Sequence, residues 1–259
     1  MLSYQHSFHA GNAADVHKHA LLAFALDYLT RKDKALSYLE SHAGRGLYDL
    51  SDAMARRTGE ASAGVARLEQ RFAPDHPWRR TLDAIRKEHG PTCYPGSPLF
   101  AAHLLRRFDS LHFAELHPQE HAALTESLPR NPNTRIYKRD GLEMAKALTP
   151  PDPRRGLMLI DPSWEVRADY ETIARLVPTI HAKWNVGIIM LWYPLLVDRR
   201  HAPMLRALKA AVPDLLVSEV SFPPAREGHG MIGSGMAVIN APWGLADEAG
   251  RIADLFKEE

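Results

Sequence analysis

The sequence predicts an α/β fold, a parallel, doubly wound sheet with helices on both faces. Strand-like runs alternate with helical ones over most of the chain, a glycine turn follows the first strand, and 259 residues can bury a sizeable core. In chain order, Asn12 with Asp15 reads as a helix N-cap. Apolar residues then recur at helical spacing through Val16, Leu21, Phe24 and Tyr28, so a helix is expected over 13–31. Ala35–Glu40 is a short β-prone run ending in Ser41-His42-Ala43-Gly44-Arg45-Gly46, a strand that enters a glycine turn.

Between 48 and 93 the texture changes to Ala, Arg and Glu with a helical period and closing prolines, which marks a helical insertion. Its eight basic and seven acidic residues leave a net +1, so charge alone does not make it a nucleic-acid clamp. The expected organisation is therefore a core of residues 1–47 and 94–259 interrupted by 48–93. Further strands are expected at 111–116, 134–138, 157–160, 186–192, 216–222 and 236–239. In such a sheet ligands sit at the carboxyl ends of the strands, so functional residues should follow strands directly.

Composition narrows the functional classes. With 45% hydrophobic and 24% charged residues the chain is neither disordered nor fibrous. A net charge of +1 gives no overall field for a polyanion, so any nucleic-acid role must rest on local features. The single cysteine, Cys93, excludes an internal disulfide and points to a reducing compartment, read as the cytoplasm. The N-terminus has neither the basic start nor the apolar core of a signal peptide. The longest apolar run, 186–197, is too short to span a bilayer and contains Pro194.

Three strand ends carry candidate chemistry. At Glu40–Gly46 the glycines let backbone approach a ligand, but the third glycine of a dinucleotide fingerprint is missing, which weakens a nicotinamide reading. At Leu157–Trp164 an apolar strand delivers Asp161, Pro162, Ser163 and Trp164. A carboxylate beside a fixed carbonyl can accept both hydrogens of an exocyclic amine, and an indole can stack on the base that carries it. The alternative is a strand-ending Asp-Pro turn with Trp164 packed in the core. Glu115 and Asp140-Gly141 close the next two strands, where acids can meet ribose hydroxyls or simply cap helices. Fourteen histidines bring zinc to mind, yet His17 and His19 splay on a helix and the spacing fits no common zinc pattern, so no metal is expected. Five Arg-Arg pairs are scattered and read as solvated surface.

Met1–Asn12, Ala14-Asp15-Val16, Lys18-His19, Ser41–Gly46, Tyr94–Leu99, Glu115–Pro118, Asp140-Gly141 and Leu191–Pro194 together closely resemble the bacterial RlmJ family of 23S ribosomal RNA adenine-N6 methyltransferases. The resemblance implies a Rossmann-like core, a small helical insertion, S-adenosyl-L-methionine as methyl donor and ribosomal RNA as partner. It also implies a cofactor site of His19, His42, Gly44, Ser97, Glu115, Asp140, Gly141 and Asp161, with Asp161, Pro162 and Trp164 at the chemistry and Tyr4 and Lys18 on the RNA. No membrane and no obligate protein partner are expected, and a monomer suffices. The chain departs from the family's usual Asp-Pro-Pro-Tyr in having Ser163 and Trp164, so the indole should take over stacking while Ser163 loosens the turn. Three alternatives are a DNA adenine-N6 methyltransferase, a nucleic-acid-binding or DNA-utilisation protein with weak or lost catalysis, and, more distantly, a nicotinamide-dependent dehydrogenase.

Overall fold

A computed structural model describes residues 6–224 and 230–257. Helix α1 (Ala13–Thr30) starts at Asn12, whose side chain accepts the Asp15 amide at 2.9 Å. Strand β1 (Ser37–Glu40) follows, then β2 (Leu47–Asp49), the helices α2 (Ala53–Thr58), α3 (Glu60–Ala63), α4 (Val65–Leu68) and α5 (Pro77–His89), and β3 (Cys93–Pro95). The rest alternates: α6 (Ser97–Leu104), β4 (Ser110–Ala114), α7 (Pro118–Ser127), β5 (Thr134–Tyr137), α8 (Gly141–Ala147), β6 (Gly156–Ile160), α9 (Ala168–Lys183), β7 (Ile188–Leu196), α10 (His201–Ala211), β8 (Leu216–Ser221), β9 (Met231–Ile239) and α11 (Leu245–Leu255).

Seven strands form one sheet in the order β5-β4-β1-β6-β7-β9-β8. The five from β5 to β7 pair in parallel, and their order reverses between β1 and β6, which opens a crevice at those carboxyl ends. The sheet is not wholly parallel as expected, because β9 pairs antiparallel with both β7 and β8. The link 222–230 between β8 and β9 is too short for the dozen or more residues that a parallel crossover needs, so the chain turns back and slots between them. Pro194 is accommodated inside β7 because β6 pairs only as far as Leu191. Beyond that point β7 has one strand neighbour and is an edge, where proline is tolerated.

The pleat divides the core in two. Leu157, Leu159 and Met190 face a cluster that includes α1, α6 and α11, whereas Met158, Ile160 and Leu191 face the cluster under α9 and α10. Helix α1 is buried on nearly every side, between the sheet and α5, so its polar run Asp15, His17, Lys18 and His19 needs partners inside the protein.

Residues 53–89 are helical but broken into four pieces and flanked by a two-stranded ribbon, β2 against β3, which the periodicity did not reveal. This segment covers the start of α1. Glu60 accepts from Asn12 Nδ2 at 3.1 Å and meets His9 Nδ1 at 2.9 Å, and Val65 N–H donates to the Gly11 carbonyl at 2.8 Å.

Candidate active site

The crevice between β1 and β6 is a cleft of about 690 Å³, a size suited to a nucleoside-sized ligand. One wall is the glycine turn after β1. Gly44 sits at φ +65°, where a Cβ would also strike the Tyr48 hydroxyl at 2.6 Å. Its amide donates to Glu115 Oε2 at 2.8 Å, while Glu115 Oε1 accepts the His117 amide at 2.7 Å. Burial raises the Glu115 carboxyl despite these two bonds. Arg45 forks onto Glu120 through two bonds, 3.0 and 2.7 Å, and pins the turn to α7.

The neighbouring strand ends add their residues in order. Asp140 caps α8, accepting the Glu143 amide at 2.9 Å. Gly141 lies so close to β1 that a Cβ would come within 1.6 Å of the Ser41 carbonyl oxygen. His42 pairs with Ser41 Oγ at 2.8 Å, and burial holds its imidazole below the usual histidine range. Ser97, at the start of α6, donates to Glu40 Oε1 at 2.5 Å, and Tyr38 donates to Glu40 Oε2 at 2.8 Å. Burial outweighs both bonds and pushes Glu40 up to about 8. His19 meets the Tyr94 hydroxyl at 3.0 Å and is kept neutral chiefly by burial.

Asp161 follows β6 directly, and Lys18 reaches it from α1 at 2.6 Å. Lys18 is 6% exposed and also pairs with Asp15 at 3.1 Å. Burial opposes its charge, but the two carboxylates overcome that and hold the ammonium above the ordinary lysine value. Asp15 in turn accepts from the Gly11 amide at 2.9 Å and meets His6 Nε2 at 2.8 Å. Burial would raise the Asp15 carboxyl, yet His6 and Lys18 beside it hold it well below the carboxylate range.

All the expected site residues that fall among the described ones therefore line this cleft: His19, His42, Gly44, Ser97, Glu115, Asp140, Gly141, Asp161, Pro162, Trp164 and Lys18. Tyr4 lies outside the described residues. Trp164 takes a position between the two sequence readings. It lines the cleft, but it is 5% exposed at φ +57°, its ring centroid 4.5 Å from that of Tyr170 in the apolar cluster under α9.

Sequence reasoning missed Asp15, Glu120 and Trp192, which also line the cleft. Asp15 was legible only as a capping partner, Glu120 looked like an ordinary acid in the first turn of α7, and Trp192 looked like one more residue of a buried strand. Of the aspartates, glutamates, lysines and arginines among the described lining, six are acids (Asp15, Glu115, Glu120, Asp140, Asp161 and Glu165) and one, Lys18, is basic. Such a cleft favours a cationic ligand and disfavours a pyrophosphate.

Comparison with known proteins places this geometry. The family model described as "Ribosomal RNA large subunit methyltransferase D, RlmJ" matches residues 33–259. The chain is 38% identical over 256 residues to "Ribosomal RNA large subunit methyltransferase J" of Escherichia coli K12, covering 97% of this chain and 91% of that protein. It is 37% identical to the Haemophilus influenzae protein of the same name, covering 95% and 89%. A crystal structure of a Legionella pneumophila protein superposes with a TM-score of 0.86 at 34% identity over 95% of this chain and 92% of that one. A probable spermidine synthase from Corynebacterium glutamicum, 13% identical with a TM-score of 0.52 over 93% of this chain and 72% of that one, shares the fold alone.

Proposed function

The chain belongs to the RlmJ family of ribosomal RNA large subunit methyltransferases, and from that membership we propose that its cleft methylates the exocyclic N6 of an adenine in 23S ribosomal RNA. It is an S-adenosylmethionine-dependent enzyme of Rossmann-like fold. The acidic lining supports that cofactor over a dinucleotide, since a sulfonium and an ammonium are welcome where a pyrophosphate is not. Gly44 packs against the Tyr48 hydroxyl and Gly141 against the Ser41 carbonyl, which brings the turn after β1 and the start of α8 close together at the cleft, and Glu115 and Asp140 are acceptors suited to ribose hydroxyls. In this reading His19, His42, Ser97, Glu115, Asp140 and Gly141 hold the cofactor, with Asp161 at its reactive end. The bound cofactor supplies an electrophilic methyl group on sulfur.

The observation that carries the reaction is Asp161 at the end of β6, held by Lys18 at 2.6 Å through Oδ2. That pairing leaves Oδ1 for one N6 hydrogen and the fixed Pro162 carbonyl for the other, so the nitrogen lone pair is aimed along the transfer line. Asp161 also offsets the positive charge that grows on N6 as the methyl arrives, and Lys18 keeps the carboxylate in place. Holding both reactants at attack distance supplies much of the acceleration. The Trp164 indole forms an apolar side of the base site, and Tyr4 belongs with the RNA contacts. The segment 48–93 acts as a helical insertion on a core of 1–47 and 94–259. Among the described residues no helix is long and apolar enough to cross a membrane. The reading puts the enzyme in the cytoplasm beside its RNA, with no obligate protein partner.

The test is transfer of labelled methyl from S-adenosylmethionine to unmodified large-subunit ribosomal RNA, with matched DNA as competitor. Asp161→Ala should bind cofactor but lose ~10²–10³ in rate, the usual cost of deleting a preorganised group. A fully active variant, or preferential labelling of the DNA, would sink the assignment.

A further inference from the structure

Trp192 is an aromatic residue of the cleft to which neither the family-level reading nor the Asp-Pro turn gives a role. Ile160 on β6 pairs with Leu191 on β7, so the next step along each strand sets Asp161 beside Trp192 at the carboxyl edge of the sheet. The indole is half-buried, lines the cleft, and has Lys18 Nζ 5.5 Å from its ring centroid, the same ammonium that holds Asp161.

Its orientation is fixed from behind. Trp192 Nε1 donates to Ser234 Oγ at 3.0 Å, Ser234 meets His17 Nδ1 at 2.9 Å, and His17 Nε2 meets Ser218 Oγ at 3.0 Å. His17 and Ser234 are fully buried. Burial lowers the His17 imidazole to about 3, so it stays neutral, and a proton on Nε2 satisfies every bond of the chain. Trp164, by contrast, leaves its buried Nε1 without a partner and is packed on Tyr170. One aromatic ring beside Asp161 is thus held by Ser234 of β9, which His17 of α1 and Ser218 of β8 fix in turn.

Resting on the methyltransferase reading above, we propose that Trp192 is the preset aromatic wall of the target-base site, a substrate-binding residue that the Ser218–His17–Ser234 chain positions. A purine stacked on this ring, on the face that the Lys18 ammonium does not cover, meets Asp161 at its edge. Stacking on one aromatic is sequence-tolerant and salt-insensitive, so Trp192 places the base while other groups choose it.

The test follows Trp192→Ala, Trp192→Phe and Trp192→Leu in two assays: KM for unmodified large-subunit ribosomal RNA, and Kd of adenosine for protein loaded with S-adenosylhomocysteine. Circular dichroism and a thermal melt report folding. Trp192→Ala should raise both constants about 10- to 100-fold, with KM for S-adenosylmethionine within twofold of wild type. Trp192→Phe should recover most of the loss and Trp192→Leu little of it, a difference that a purely structural role would not produce. Ser234→Ala should give an intermediate rise in KM for RNA. Unchanged constants in Trp192→Ala, equal rescue by Phe and Leu, or no measurable adenosine binding by wild type each overturn the inference. A wild-type protein that binds adenosine through Trp192 yet transfers no methyl counts instead against the proposed reaction.

Discussion

Lys18→Met removes the one cation shared by two buried carboxylates and keeps much of the side chain's volume. In the native protein the ammonium is 2.6 Å from Asp161 and 3.1 Å from Asp15, with all three side chains at least 87% shielded from solvent. Breaking a buried pair from one side typically costs ~3–5 kcal/mol, because the remaining charge has lost its partner. For a chain of this size each kcal/mol moves Tm by about 2–4 °C, so a fall of roughly 6–20 °C is expected. The pH dependence has a definite sign. The Asp15 carboxyl is held well below its ordinary 3.8, with His6 and Lys18 overcoming burial. A carboxyl held low contributes stability above its unfolded value and loses it as pH falls through the folded one. The gap between wild type and Lys18→Met should therefore be widest near neutrality and narrow in acid. Urea unfolding at pH 7 and pH 3.5, with Asp15→Asn alone and combined with Lys18→Met, measures both the gap and the coupling. Wild-type-like stability of Lys18→Met, or a double variant additive to within ~0.5 kcal/mol, would refute the idea that the three groups act as a unit.

Two further outcomes are open to measurement. Glu40, which burial pushes up to about 8, keeps its proton in the folded state while the unfolded carboxyl releases it near 4.5. Wild-type stability should thus fall between those pH values relative to Glu40→Gln, by up to ~1.4 kcal/mol per pH unit, and parallel unfolding profiles for the two proteins would contradict it. Gly141→Ala would place a methyl 1.6 Å from the Ser41 carbonyl oxygen, so α8 must retreat from β1. Calorimetry should find S-adenosylmethionine bound at least tenfold more weakly, and an unchanged Kd would mean that this close approach does not shape the cofactor site.

How much of this was legible in the sequence depends on the range of the interaction involved. The first helix was readable because its start is local, an Asn12 side chain three residues from the amide it accepts. The core strands were readable because each is an apolar run bounded by turns. The antiparallel β9 was not, since direction depends on what can fit in the link 222–230, and a strand's own residues say nothing of its neighbours. The β2–β3 ribbon was missed for the same reason: three residues on each side pair only because the helices between them fold back. The residues that the resemblance offered all line the cleft where they fall among the described ones, but the resemblance could not supply packing, such as the contact of Trp164 with Tyr170.

The buried polar run on α1 explains why the site could be named residue by residue and still not be understood. Asp15, His17, Lys18 and His19 lie on a helix buried all round, so each must find a partner, and they find them in different directions. Lys18 bridges Asp15 and Asp161, His19 meets Tyr94, and His17 meets Ser234 and Ser218. One helix thereby ties Asp161 to a wall of the cleft and to the strands behind it. Histidines that splay too widely to share a metal are spaced for that task, since reaching opposite neighbours requires the divergence that a common ligand forbids. The feature that argued against a metal site is the one that lets α1 organise the cleft.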